Sequence, residues 1–243
     1  MRRHEHWLAD IGVLRTMVRG MPKQGSLSQR LTTFYASQAT HYDCFRERLL
    51  QGRDRLLADI DLPDHARIVD LGGGTGRNFE FFGERIAAIA RYVVVDLCQP
   101  LLEQARGRAR RWPQMRIEYA DAAHWRPSAP VDVVILSYAL SMMPEWRQVI
   151  ANACDMLKPG GCLAVIDFYV SEATPPPTRL RHAAFTRRFW PAWFGHDGVR
   201  LHAGPLSVLC DALPDHRLIE TRSSVPYLPL LRVPCYRFLG RKP

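Results

Sequence analysis

The sequence has no Cys-x-x-Cys pair and no Cys/His run with the spacing of metal ligands. Its six cysteines stand apart at positions 44, 98, 154, 162, 210 and 235. That argues against a zinc site and a disulfide framework, and for a reducing cytosol. Lysine is scarce: Lys23, Lys158 and Lys242 leave nearly all of the positive charge to arginine. No apolar run approaches the length that spans a bilayer. The opening "MRRHEHWLADIGVLRTMVRGMP" starts basic, but Asp10, Arg15 and Arg19 interrupt it, so it does not read as a signal peptide. There is no internal repeat. The expectation is a cytoplasmic protein, soluble or peripheral on the inner face of the membrane.

What is present fits one large domain, or a domain with appendages. The 243 residues are 47% hydrophobic and 23% charged, ordinary values for a globular chain with a sizeable core. The imbalance is in sign, with 33 Lys+Arg against 24 Asp+Glu for a net charge of +9. Such a surface favours partners that carry phosphate, whether nucleic acid or an anionic leaflet. A genome rich in Arg codons accounts for it equally well.

From about residue 66 short β-branched runs alternate with helical stretches, the pattern of βαβ units on a parallel sheet. Strands are predicted at 66–71, 91–97, 115–121, 131–138 and 162–170, with helices around 77–87, after 99 and over 145–157, the last stopped by "KPGG". The alternation then fails for about 35 residues, an insertion too aromatic for disorder and long enough to be functional. A helix near 205–213 and an antiparallel hairpin, "RLIETRSSV" with "VPCYRFLGR", complete the chain. The expected fold is α/β: a Rossmann-like, seven-stranded, mostly parallel sheet with an antiparallel last strand. Residues 1–62 form a helical extension, and 63–243 the main domain, with a lid-like insertion at about 171–205. Within the extension, Trp7, Leu8, Ile11, Leu14 and Val18 share one helical face, suited to interfacial docking or to capping the site.

"IVDLGGGTGRN" (68–78) follows a strand and opens a helix, with glycines at 72, 74 and 76. Glycine lets the chain turn sharply and bring a ligand against main-chain N–H groups. A dinucleotide loop would want a third glycine where Arg77 stands. The spacing instead resembles the first motif of class I S-adenosylmethionine-dependent methyltransferases, which begins at Asp70. Asp96 closes the second strand, where a carboxylate can accept ribose hydroxyls, and Asp121 closes the third. Each alone reads as a turn or cap residue; together they line the carboxyl edge where open α/β sheets bind ligands. The resemblance implies S-adenosylmethionine as cofactor. Gly72, Gly74 and Gly76 then meet its methionyl part, Asp96 its ribose, and Leu97, Asp121 and Ala122 its base, with Ser137 completing the site.

The region after the fourth strand, "LSYALSMMP", lacks the Pro-Pro-aromatic tetrapeptide of amino-methylating DNA enzymes and the glutamate pair of protein arginine methyltransferases. Arsenite-type enzymes need clustered cysteines, and no aromatic-basic RNA module is visible, so no nucleic-acid partner is expected. The segments "YDCFRERLLQGRDRLL" (42–57), "VVDLCQPLL" (94–102), "SYALSMMPEW" (137–146), "RRFWPAWFGHDGVRL" (187–201) and "VPYLPLLRVPCYRFLGRK" (225–242) resemble the N-methyltransferase of betaine-lipid synthesis. That family trimethylates the amine of diacylglyceryl-homoserine to give diacylglyceryl-trimethylhomoserine. The resemblance implies a lipid substrate at a membrane surface, and a 3-amino-3-carboxypropyl transferase partner that supplies it.

His196 is the base candidate, because its ordinary pKa suits proton removal from an amine, and Asp197 is placed to orient it. Tyr42 and Tyr138 approach the methyl donor in this architecture. Trp190, Trp193 and Phe168 offer aromatic walls to a methylammonium, and Arg188 and Arg200 offer forks for the homoserine carboxylate. A structural role is open for each of them. The alternatives are a methyltransferase of a small soluble amine or phenol, and a non-catalytic S-adenosylmethionine-binding protein.

Overall fold

Apolar runs too continuous for a half-exposed strand make up the centre of the sheet, as expected where helices cover both faces. The computed structural model describes residues 20–36, 42–225 and 228–243, without the side chains of 42, 44–46 and 228–230. Seven strands, β1 (Ala66–Leu71), β2 (Ile89–Asp96), β3 (Met115–Tyr119), β4 (Val131–Ser137), β5 (Leu157–Phe168), β6 (His216–Val225) and β7 (Leu228–Arg241), lie in the order β3-β2-β1-β4-β5-β7-β6. β1 to β5 are parallel, and β7 runs antiparallel to both β5 and β6. The expected fold is therefore the one observed.

Alternate side chains of each strand feed two cores, as the period of two requires. On one face Ile68, Tyr92, Val94, Ile135 and Ile166 pack under α2 (Tyr42–Leu49), α3 (Arg53–Ala58) and a 3-10 segment, Arg77–Ala88. On the other face Val69, Val95, Val134, Leu136 and Val165 pack under α5 (Trp146–Met156) and α7 (Gly204–Ala212). Two further helices complete the description: α1 (Leu27–Tyr35), and α4 (Gln99–Ala109) between β2 and β3. The inserted segment contains α6 (Ala184–Gly195).

Three expectations are corrected in detail. The segment after the glycine loop is 3-10 rather than α-helical, because Gly83 stands at φ 56°, ψ −128° and breaks it. "KPGG" does not separate a helix from a strand. β5 starts at Leu157 and absorbs these residues as a register shift between the Val131–Leu157 and Val133–Cys162 pairs. β3 stops at Tyr119, so Asp121 stands in the turn beyond it. The apolar face at 7–18 lies outside the described residues. Among the described residues no helix is long and apolar enough to cross a membrane.

Candidate active site

The turn after β1 holds Gly72, Gly74 and Gly76 at φ 67°, 54° and 70°, backbone that L side chains rarely adopt. A Cβ at Gly72 would stand 2.7 Å from the Ala139 Cβ and 2.8 Å from the Met143 Cε. Beneath the loop Asp70 is fully buried and accepts hydrogen bonds from the Tyr92 hydroxyl at 2.7 Å and from Asn78 Nδ2 at 3.1 Å. Burial pushes its carboxyl up to about 6, against the opposing pull of those two donors. Asp43 of α2 fastens the loop from outside. It accepts from the Thr75 hydroxyl at 2.7 Å and from Arg108 at 2.5 Å, while Arg108 also donates to the Thr75 carbonyl at 2.8 Å.

A cleft of about 240 Å³ opens along the carboxyl edge of β1, β2, β3 and β4. Gly72, Gly74, Asp96, Leu97, Asp121, Ala122 and Ser137 line it. Asp70 and Gly76 do not: the first braces the loop from below, and the second packs toward Val94 and Ala105. Asp96 accepts the Gly74 N–H on Oδ2 and the Cys98 N–H on Oδ1, both at 2.8 Å. Desolvation raises its pKa, and these N–H groups oppose the rise. Asp121 accepts the Ala123 N–H at 2.9 Å, so its turn role is real, yet its carboxylate is half exposed toward the cleft. The Ser137 hydroxyl is buried in the wall with no hydrogen-bond partner among the described residues. An orphan hydroxyl beside bare glycine backbone and two carboxylates fits a polar ligand such as S-adenosylmethionine.

The roof of this cleft is absent from the sequence-based site. Leu27, Leu31 and Tyr35 of α1 line it, as do Met142, Met143, Pro144 and Glu145 beyond β4. Ser26 and Gln29 close a capping box at the start of α1, and that Ser-x-x-Gln spacing was the signal that could have found it. Ser28 then anchors the helix, its hydroxyl donating to the Leu97 carbonyl at 3.1 Å and lying 2.6 Å from the Tyr119 hydroxyl.

The substrate-side residues divide. Tyr138, at φ 54°, is among the residues that line the cleft. Its hydroxyl donates to the Gln51 carbonyl at 2.5 Å, and burial holds its pKa well above the usual phenol value. From it a buried aromatic series runs to Phe168 (4.6 Å between ring centres), Phe194 (5.1 Å) and Trp190 (5.7 Å). The helical period turns Phe185, Phe189 and Trp193 to the other side of α6, where they stack at 5.2 Å and 5.8 Å. Phe185 is 66% exposed and Trp193 47%.

His196 is not placed in the cleft. It is exposed at the end of α6, and its carbonyl accepts the Met21 N–H at 3.0 Å. Asp197 is buried in the following turn and also stands apart from the cleft wall. Arg188 and Arg200 are exposed, and Arg200 is fixed by its main chain to the Ser141 carbonyl at 2.7 Å. The side chain of Tyr42 lies outside the described residues.

The family model for a methyltransferase domain matches residues 68–161, from within β1 to the bulge of β5. A trans-aconitate 2-methyltransferase of Variovorax paradoxus (strain S110) is 33% identical over 176 residues, 71% of this chain and 65% of that protein. One from Azoarcus sp. (strain BH72) is 36% identical over 119 residues, 49% of this chain and 45% of that protein. The chain thus spans less than two thirds of the length of these relatives. The structure of the N-methyltransferase NodS from Bradyrhizobium japonicum WM9 with S-adenosyl-l-homocysteine matches with a TM-score of 0.64 at 18% identity, over 88% of this chain and 98% of that one. The strand order and this likeness make the fold that of class I methyltransferases.

Proposed function

We propose that the chain is an S-adenosylmethionine-dependent methyltransferase that methylates the amine of diacylglyceryl-homoserine three times, giving diacylglyceryl-trimethylhomoserine. The observation that carries the lipid acceptor is the two-faced helix α6. Its inner face reaches Tyr138 at the cleft through Trp190, Phe194 and Phe168, while its outer face exposes Phe185 and Trp193. Arg181 and Arg188 are exposed on the same segment, whereas Arg179 is paired with Glu220 at 3.3 Å. Exposed aromatics among arginines suit the interface of an anionic bilayer.

The cofactor would supply a methyl group on a sulfonium, and the residues that would hold it are Gly72, Gly74 and Ser137 on the methionyl side, Asp96 at the ribose, and Asp121 with Ala122 at the base. The chain's own contribution is position and dryness. α1 roofs the cleft against water, and the loop is held by Asp70 and Asp43. The Tyr138 hydroxyl is committed to Gln51, so the proton that leaves the amine passes to solvent. Tyr138, a residue of the cleft, offers its ring to the growing methylammonium, worth roughly 0.5–2 kcal/mol per contact, with Phe168 packed behind it. A separate 3-amino-3-carboxypropyl transferase would supply the substrate.

Mass spectrometry of lipids from a host given that transferase, with and without this chain, tests the reading. Trimethylated homoserine lipid should accumulate only when both are present. Unmethylated lipid as the sole product, in cells that hold folded protein, would overturn it. A second reading, methylation of a soluble polycarboxylate, draws on the trans-aconitate 2-methyltransferases that the chain resembles. Purified protein offered trans-aconitate and radiolabelled donor distinguishes the two. Donor binding with no turnover of either acceptor would favour a non-catalytic role.

A further inference from the structure

Among the described residues only His65 and Tyr138 combine a side chain with a positive φ. Backbone of that kind persists where neighbouring contacts over-determine it. The chain that follows Tyr138 has little regular structure to hold it, since a single 3-10 turn, Leu140–Met142, stands between β4 and α5. Yet Tyr138, Ala139, Met142 and Met143 all line the donor cleft. Ala139 and Met143 press on Gly72 so closely that a Cβ there would stand 2.7 Å and 2.8 Å from their side chains. In an interior packed that tightly, a displacement of this wall is passed to the glycine loop.

The fastening of the wall is Ser141, which commits all three of its polar groups. Its N–H donates to Asp167 Oδ2 at 2.9 Å and its hydroxyl to Asp167 Oδ1 at 2.7 Å. Its carbonyl accepts the Arg200 N–H at 2.7 Å, from the far end of the inserted segment. Asp167 stands in β5, one residue past the last pair that β5 makes with β4, that of Ser137 with Ile166. It is fully buried and also accepts the Phe168 N–H at 2.7 Å. A carboxylate in such a place is costly unless its lone pairs are filled. What it offers in return is two acceptor oxygens for two donors of one residue, which fixes the orientation of Ser141 as well as its position. An amide has one acceptor oxygen and cannot do the same. We propose that Asp167 is a positioning residue of the donor site, holding the wall at 138–143 against the glycine loop through Ser141 and thereby setting the affinity for the methyl donor. Neither Asp167 nor Ser141 lines the cleft, so both act through the wall. The inference rests on the cleft's being the S-adenosylmethionine site and is independent of the acceptor.

Calorimetry of the whole chain with S-adenosylhomocysteine tests it, at pH 8, where the Asp167 carboxyl, raised to about 6, is ionised. Asp167→Asn leaves one acceptor oxygen for two Ser141 donors and should weaken binding about tenfold. Ser141→Ala removes the hydroxyl bond alone and should weaken it about threefold. Because it keeps the N–H bond, it reads the proposal even where Asp167→Asn does not fold. The two losses should not multiply in the double variant, since both act on one contact. Glu220→Gln is the control for loss of a buried carboxylate as such. Glu220, its side chain 7% exposed, accepts from the Tyr169 hydroxyl and from the Leu180 N–H at 3.1 Å, and lines no part of the cleft. That variant should melt at a lower temperature and keep its S-adenosylhomocysteine affinity. Wild-type affinity in folded Asp167→Asn or Ser141→Ala would overturn the proposal, as would losses that multiply or an equal loss in Glu220→Gln. Failure of the wild type to bind S-adenosylhomocysteine would overturn the donor assignment of the cleft, and this inference with it.

Discussion

The Tyr138 hydroxyl and the Gln51 carbonyl, 87 residues apart in sequence, meet at 2.5 Å and join the end of β4 to the turn between α2 and α3. That bond ties Tyr138, a residue of the cleft, to the turn that follows α2. It also commits the hydroxyl's proton to that carbonyl.

Asp96 gathers the Gly74 and Cys98 N–H groups and faces the cleft. Asp96→Ala should weaken S-adenosylhomocysteine binding by about tenfold or more, since hydrogen bonds to a charged group are worth roughly 1.5–3 kcal/mol. Calorimetry measures it, and an unchanged affinity would remove Asp96 from the ribose site.

Gly72→Ala places a Cβ in left-handed backbone, 2.7 Å from Ala139. The conformational cost alone is about 1–2 kcal/mol. A lower melting temperature together with weaker donor binding is expected. A variant as stable as the wild type would mean that the loop relaxes freely.

Asp70 and Asp167 titrate near 6, both raised chiefly by burial. Between the ordinary value of 3.8 and about 6 the folded state holds more protons than the unfolded one. Their contribution to stability is therefore greatest below pH 4 and declines as pH rises to 6. Urea denaturation of Asp70→Asn should show a flatter pH dependence across that window than the wild type. Parallel curves would place the carboxyl's pKa at its ordinary value.

The outer stripe of α6 should seat on anionic vesicles. Replacing Phe185 and Trp193 with Ser should lower affinity for phosphatidylglycerol vesicles, read by sedimentation, by about twentyfold or more, given roughly 1.5–3 kcal/mol for full burial of each large apolar side chain, and leave S-adenosylhomocysteine affinity intact. Equal sedimentation of variant and wild type would rule out this face as the contact.

His196→Ala should keep turnover within about twofold, as befits an exposed residue away from the cleft. A loss of orders of magnitude with intact donor binding would restore it as a base.

The sheet was legible because strand signals are local: β-branched runs, a glycine loop and acidic residues that close successive strands. The donor edge followed from them, since the parallel topology places Gly72, Asp96 and Asp121 on one side. What lay beyond reading was contact between distant segments. Arg53 looks like any surface arginine in "LLQGRDRLL" until Gly52 turns the chain against Ile166 and Arg237. His196 sits in a polar turn next to a helix of aromatics, and sequence does not say that the turn faces Met21 rather than the donor. Trp190 and Trp193 read as one aromatic wall in the sequence, because residues three apart lie near one another on a helix; only the packing shows Trp190 buried and Trp193 exposed.

Asp43 grips Thr75 and Arg108 from α2, and α2 leads directly into the turn before α3. The glycine loop and the turn at Gln51 that Tyr138 bonds thus hang from one helix, so a change that loosens α2 is felt at both ends of it.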